Sequence, residues 1–213
     1  MIEKKFCLVG VEFDFEDVII DNYHSYLGFF TSKIKKSYKL KNKKLGTESL
    51  KDWKKIKSKF NPDIFITIDD GIERERLYKK VYKKNCKNLL VKNSYISPSS
   101  KKYLLKKKSV IVQRFAKIMP NVEIEDGVKI NIACQIHHGC KIGKFSTLAP
   151  AAVILGNVTI GKHSYIGANS TIKQNIKIGN HCIIGAGSVV IRDIKDYEVV
   201  AGNPSKLIRK NIL

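Results

Sequence analysis

From Ile118 onward every sixth residue is a large aliphatic. The column runs Ile118, Ile124, Ile130, Ile136, Ile142, Leu148, Ile154, Ile160, Ile166, Ile172, Ile178, Ile184 and Val190 without a slip of register. A second column, four residues after each of these, is mostly small or β-branched, as in Val122, Cys134, Ser146, Ala152, Ser164 and Ser188. Glycine directly follows the large residue at Gly143, Gly161, Gly167, Gly179 and Gly185. A period of six fits neither a helix of 3.6 residues per turn nor a two-faced strand. It predicts a chain that turns a corner every six residues. Large aliphatics then stack along the axis of a prism, small residues fill its tight interior positions, and glycines relieve the corners.

The first half alternates instead. The run KFCLVG at 5–10 predicts a buried strand, and EDVIIDNYHSYL has apolar residues at helical spacing. GFFTS predicts a second strand, 49–60 a helix capped by Ser49 or Thr47, NPDIFITIDD a third strand and IERERLYKKVYKK a helix. Strand alternating with helix implies a small parallel sheet, whose ligands bind beyond the carboxyl ends of the strands. Here those ends lie near Gly10 to Phe13, Thr31 to Lys33 and Ile68 to Gly71. Gly10 is followed by Val11-Glu12-Phe13-Asp14, with no G-x-G-x-x-G, which argues against a dinucleotide-binding Rossmann domain. The predicted organisation is an α/β domain at 1–100, a polar linker at 101–111, the repeat array at 112–195 and a tail at 196–213.

The formal charge of +21 in 213 residues points to polyanionic partners or to a solvated lysine-rich surface, with lysines gathered at 33–44, 51–59, 79–87 and 101–108. No basic platform interleaved with aromatics appears, so nucleic acid is not expected as a partner. The five cysteines are an odd number without C-x-x-C or structural-zinc spacing, which predicts reduced thiols, no metal and a cytoplasmic setting. No apolar run approaches the roughly 20 residues of a membrane span, and none is expected to insert. Cys134, Cys140 and Cys182 fall in the small interior column and read as packing residues. His163 and His181 read as facing solvent.

A parallel α/β domain followed by this repeat resembles one subgroup of the hexapeptide-repeat acetyltransferases, whose repeats form a left-handed parallel β-helix. The subgroup comprises the sialic acid O-acetyltransferase-like proteins and the N-acetyltransferases of nucleotide-linked 4-amino-4,6-dideoxy sugars. NIACQIHHGCKIG, from Asn131 to Gly143, is similar to the family pattern N-x-x-x-x-I-x-H-[DE]-C-x-I-G. VAGNPSK, ending at Lys206, resembles its G-x-P-A-K ending, and the segment from Ile68 through Asp69, Asp70 and Arg74 to Tyr78 resembles I-G-D-N-x-x-R-x-x-x-Y.

The resemblance implies a homotrimer that moves acetyl from acetyl-CoA to the 4-amino group of a dTDP- or UDP-linked 4-amino-4,6-dideoxy sugar for surface-polysaccharide or glycan synthesis. It places His138 as general base, Asn131 beside the reacting amine and the Gly156 N–H at the thioester carbonyl. Gly156, Gly167, Ala168, Gly185, Ala186 and Lys206 would line the coenzyme, and Gly10, Phe13, Asp69, Asp70, Arg74 and Asn131 the sugar nucleotide. Imidazole suits the base role because its ordinary pKa lies near neutrality. The chain departs from the pattern at three places. Gly139 stands where an acidic residue commonly follows the histidine, Thr147 where a second histidine is often seen, and Gly10 to Asp14 replace a G-A-G-G-H-like loop. O-acetylation of sialic acid or another sugar, and a non-catalytic basic scaffold, are the alternative readings.

Overall fold

The structure, a computed structural model, describes residues 4–10, 18–19, 22–30, 44–47 and 49–212. The chain divides into two compact units, one formed by residues up to Asp69 with Glu73–Lys87, the other by Asp70–Ile72 with the chain from Asn88 onward.

The first unit is built on a four-stranded sheet of β1 (Phe6–Val9), β2 (Tyr26–Phe30), β3 (Lys44–Gly46) and β4 (Asp63–Ile66). The order is β3-β2-β1-β4 and every pairing is parallel. β1 is buried along its whole length, as a central strand covered on both faces must be. Helix α1 (Leu50–Phe60) begins at Ser49, whose Oγ accepts the Asp52 N–H at 3.2 Å, and ends at Asn61 in the left-handed conformation. Its one buried residue, Trp53, stacks edge-on against Phe30 and Tyr82 with ring centroids 6.2 and 5.2 Å away. Helix α2 (Gly71–Leu77) follows β4, and a wider helical turn carries the chain on through Tyr82. Of the helix expected over EDVIIDNYHSYL, Val18 and Ile19 are helical and Tyr23–Ser25 form a 3-10 turn.

The second unit is a left-handed parallel β-helix. Fourteen two-residue strands, from Ile111–Val112 to Val189–Val190, recur every six residues, and each pairs in parallel with the strand 18 residues away. Three hexapeptides therefore make one coil, and the coils stack into three sheets around a triangular core. All of the sixth-residue aliphatics are buried in that core, together with Cys134, Cys140 and Cys182.

The array extends beyond the expected limits at both ends. Leu89–Leu90 and Tyr95–Ile96 already pair with Ile111–Val112 and Lys117–Ile118, so the first coil begins inside the region assigned to the α/β domain. The expected linker at 101–111 instead begins within helix α3 (Pro98–Leu104) and ends at the strand Ile111–Val112, with turns and bends between them. Ser100 in this helix accepts the Val122 N–H at 2.9 Å and donates to Met119 O at 2.7 Å, which closes the open edge of the third sheet. The expected tail is a hairpin: Glu198–Ala201 pairs with Ile183–Ile184 in parallel and with Lys206–Lys210 antiparallel. A solenoid without such caps would expose a whole apolar coil end.

The corners differ from the expectation as well. The residues in the left-handed conformation are mostly not glycine but Phe115, Asn121, Ala133, Phe145, Ala151, Asn157, His163, Asn169, Asn175 and His181, with φ between 54° and 64°. The glycines after the large aliphatics serve another purpose. A Cβ on Gly143 would stand 2.6 Å from the Gly161 carbonyl carbon, and one on Gly161 2.5 Å from that of Gly179. They let successive coils approach, and a stack of positions loses its side chains together.

Candidate functional site

His138 follows the strand Gln135–Ile136 and lies at the corner between the second and third sheets. Its side chain is exposed, and Asn157 N–H holds its backbone by donating to His138 O at 2.9 Å. Gly156 sits one coil further on, at the same corner. A Cβ there would lie 2.8 Å from both Cε1 and Nε2 of His138, so the absence of a side chain at Gly156 is what makes room for the imidazole. Among the described residues neither ring nitrogen of His138 and no acceptor for the Gly156 N–H is engaged. An imidazole and a backbone donor thus stand side by side, neither engaged by another described residue. The neighbouring His137 is half-buried and donates its backbone N–H to Ile154 O.

The missing acid has a structural counterpart. Gly139 is a left-handed corner with φ 69°, and a Cβ on it would collide with Oδ1 of Asn157. Asn157 in turn donates through Nδ2 to Asn175 Oδ1 at 3.3 Å, so an amide ladder occupies the space a side chain at 139 would need. Gly139→Asp is therefore expected to lower the melting temperature by several degrees, and the double variant Gly139→Asp with Asn157→Gly to recover most of it. Thermal denaturation of the two proteins checks this. An equal loss in both would show that the clash with Asn157 is not the cause.

Asn131 lies at a different corner, between the first and second sheets, after the strand Lys129–Ile130. It is buried; its N–H and its Nδ2 both donate to Leu148 O, at 3.0 and 2.9 Å, while Oδ1 is buried without a partner. Gly167 and Gly185 occupy the same column two and three coils on. A Cβ on Gly167 would lie 2.5 Å from Ile184 O, and one on Gly185 2.7 Å from the Ala201 Cβ, so this edge of the prism is narrow and lined by backbone. Ala168 is half-buried and Ala186 exposed beside them, and Lys206 is exposed on the terminal hairpin. The structure therefore brings His138 to Gly156 and sets Asn131 with Gly167 and Gly185. It leaves these two groups on separate edges of one chain.

In the first unit, Gly10 (φ 84°) donates to Phe30 O at 2.9 Å and accepts from Thr67 Oγ1 at 3.1 Å, which ties together the ends of three strands. Arg74 is buried, and its Nη1 donates to Ile68 O and Asp69 O at 2.6 and 2.9 Å. It braces the turn after β4. In the short segment Asp70–Ile72, which belongs to the second unit, Asp70 Oδ1 accepts the Ile72 N–H at 2.9 Å, a capping bond at the start of α2. Phe13 lies outside the described residues.

Of the two histidines expected to face solvent, His163 is half-buried and His181 is buried. His163 and His181 stack on each other at 4.9 Å, between Phe145 at 5.9 Å and Tyr197 at 4.9 Å, and His181 is only 9% exposed. Their common corner position puts the rings one coil apart, and Gly127 continues the column where a side chain would strike Phe145. Sequence reasoning also missed Gln113 and Lys129, both buried on this unit. Gln113 stands 18 residues before Asn131, so counting back one whole coil would have found it.

The thiols are inert packing. Burial pushes the Cys134 thiol up to about 12, and its Sγ donates to Ala149 O at 2.9 Å. Burial likewise pushes Cys7 up to about 12 and raises Cys140 and Cys182. At pH 8 a thiol with a pKa near 12 is ionised in only about one molecule in 10⁴. Native protein treated with iodoacetamide at pH 8 is expected to take up no label at Cys7, Cys134, Cys140 or Cys182, and unfolded protein to label at all four, as read by peptide mass.

The second unit has the left-handed parallel β-helix fold, built from hexapeptide repeats. Residues 133–174 and 157–192 match the family model of the bacterial transferase hexapeptide (six repeats). The chain is also similar to the acetyltransferase domain of PglB from Neisseria gonorrhoeae, solved with acetyl coenzyme A. The identity is 23% and the TM-score 0.81, over 96% of this chain and 99% of that one. A variant of perosamine N-acetyltransferase from Caulobacter crescentus, solved with CoA and GDP-perosamine, is 21% identical with a TM-score of 0.85, over 98% and 99% of the two chains. WeeI from Acinetobacter baumannii is 20% identical with a TM-score of 0.73, over 96% and 100%. The likeness spans both units and carries the fold.

Proposed function

We propose that this protein is an acetyltransferase that moves acetyl from acetyl-CoA to the 4-amino group of a nucleotide-linked 4-amino-4,6-dideoxy sugar, for surface-polysaccharide or glycan synthesis in the cytoplasm. The observation that carries this reading is the His138–Gly156 corner, where an exposed imidazole with both nitrogens free adjoins an unengaged backbone N–H. The amine lone pair attacks the thioester carbonyl carbon while His138 takes the amine proton. The Gly156 N–H donates to the oxyanion that develops, and collapse of the tetrahedral intermediate breaks the C–S bond and releases coenzyme A. No covalent enzyme intermediate is needed when both substrates are held in line.

The separation of the two groups of residues supports a threefold assembly. Three prisms side by side would set the His138–Gly156 edge of one copy against the edge of the next that bears Asn131, Gly167 and Gly185. The coenzyme arm would lie on that glycine-lined edge, and Lys206 would reach its phosphates. Asp69, Asp70, Arg74, Gly10 and Phe13 are the residues proposed to bind the nucleotide, as the family resemblance implies. The perosamine enzyme solved with GDP-perosamine makes a guanosine nucleotide as reasonable as the dTDP and UDP forms.

The test is incubation with acetyl-CoA and a panel of GDP-, dTDP- and UDP-linked 4-amino-4,6-dideoxy sugars, following thiol release and product mass. A gain of one acetyl group on one panel member, matched by free thiol, is the expected result. Transfer to sialic acid alone would replace the acceptor and keep the chemistry. No turnover on any sugar by folded protein would overturn the reading.

A further inference from the structure

One glycine of the turn after β4 is seated on a corner of the prism. Asp70–Ile72 counts with the second unit, although the residues on both sides of it count with the first. A Cβ on Gly71 would collide with Phe145 O and lie 3.5 Å from Nδ1 of His163. The carbonyl is backbone and cannot swing aside, and the chain there is tied by the bond from Phe145 N–H to Asp126 O at 2.9 Å. The His163 ring is held as well. It lies between Phe145 and His181, at 5.9 and 4.9 Å, and Tyr197 closes the stack 4.9 Å from His181. Asn211 clamps the far end, donating through its N–H to Tyr197 O at 2.7 Å and through Nδ2 to His181 O at 2.9 Å. Gly71 therefore meets a surface that does not yield.

Backbone preference does not explain this glycine. Gly71 opens α2, its φ lies outside the left-handed region, and alanine would favour the helix there. What glycine allows is the close approach. The ligands of a parallel sheet bind beyond the carboxyl ends of its strands, and this turn is the one that follows β4. We infer that Gly71, Phe145 and His163 are positioning residues for the sugar nucleotide: the stacked corner holds Gly71 and so sets the conformation of the turn from Ile68 to Gly71. The inference rests on the proposed binding of a sugar nucleotide by that turn. None of the three needs to touch the ligand. A side chain at 71 pushes the turn off its seat and moves Asp69 and Asp70, two of the residues proposed to bind the nucleotide.

The experiment measures binding of the bare nucleoside diphosphate, as GDP, dTDP or UDP, by calorimetry, beside steady-state kinetics with the nucleotide-linked amino sugar. Gly71→Ala is expected to weaken nucleotide binding and to raise the KM for the sugar nucleotide at least about 5-fold, with kcat and the KM for acetyl-CoA changed by less than about twofold, because the displaced groups bind rather than react. His163→Ala empties part of the stack and should act in the same direction. His163→Phe refills it and should return both constants to within about twofold of wild type. Alanine and phenylalanine already hold the left-handed conformation at the corners of Ala133, Ala151, Phe115 and Phe145, so the coil accepts either at 163. Unchanged nucleotide affinity in folded Gly71→Ala would overturn the inference, as would an equal rise in the KM for acetyl-CoA, the mark of general loosening. If Gly71→Ala does not fold, the His163 pair decides, and equal affinity in its alanine and phenylalanine forms overturns the inference. A wild type that binds none of the three nucleotides and turns over no sugar nucleotide overturns the functional reading and this inference with it. One that binds a nucleotide but transfers no acetyl overturns the acetyl-transfer reading only, and the binding comparison still decides the role of Gly71.

Discussion

Replacing His138 by Ala is expected to lower kcat by roughly 10²- to 10⁴-fold, the range typical of a lost general base. The melting temperature should stay close to that of the parent. The exposed side chain makes no hydrogen bond among the described residues, and the backbone bond from Asn157 to His138 O does not depend on it. The KM for acetyl-CoA should change little, so the loss falls on the chemical step. Gly156→Ala offers a second route to the same centre. Its backbone is not in the left-handed region, so the chain tolerates alanine, but the new Cβ occupies the space 2.8 Å from Cε1 and Nε2 of His138. The ring must move and activity should fall while the fold persists. Full activity in His138→Ala, measured by thiol release with the natural acceptor, would remove this histidine from the mechanism and make His137 the residue to test.

The largest effect on stability is expected from Gly161→Ala. A Cβ there would lie 2.5 to 2.6 Å from the Gly179 carbonyl and the Asn180 nitrogen, all backbone atoms that cannot swing aside. The coils have to part, which strains the bond from Gly161 N–H to Ile178 O, 2.8 Å long. Overpacking typically costs about 1–3 kcal/mol, and a clash with backbone that cannot move belongs near the upper end of that range. Gly187→Ala is the control. It has φ 66° but nothing within 4 Å of a new Cβ, so its cost is the left-handed conformation alone, about 1 kcal/mol. Chemical denaturation of both at one protein concentration measures the difference. Equal losses would mean that the after-aliphatic glycines are not there for coil contact.

The repeat was legible because its period was unbroken, and a prism with a six-residue side accepts only one register. Its ends were not. Leu90 and Ile96 belong to the array, but α3 interrupts the count before Val112, so a period read from the regular part stops short of the first coil. The corners were misread for a different reason. Glycine is the residue that enters the left-handed region without strain, yet asparagine, histidine, phenylalanine and alanine hold it here, because stacked partners and coil-to-coil hydrogen bonds determine the backbone. β3, three residues long, carries too little pattern to be seen at all. Of the candidate site, His138 was named from a motif and Gly156 from the family resemblance, and the structure sets the two against the same space. Asn131 was found from the same motif, but its distance from His138 within one chain follows only from the three-sheet geometry. Gly71 lies in a matched segment, but its need to be glycine follows from the Phe145 carbonyl beside it, which no sequence displays.

The constant 18-residue register also makes the second half of the molecule additive. Each coil touches only the coil before and the coil after, so its free energy is a local sum, like that of spins on a line. A whole extra coil could be spliced in between the His138 level and the C-terminal hairpin and meet the same neighbours as those it separates. An insertion of one or two hexapeptides would rotate every later corner to a different edge, and with it the glycines that the coenzyme arm is proposed to follow, whereas residues looped out at a corner, as α3 is between Ile96 and Ile111, leave the register intact. The prism therefore keeps its edges in place only when it grows by whole coils, and the reach from the proposed reacting centre to the terminal lysines lengthens in those steps.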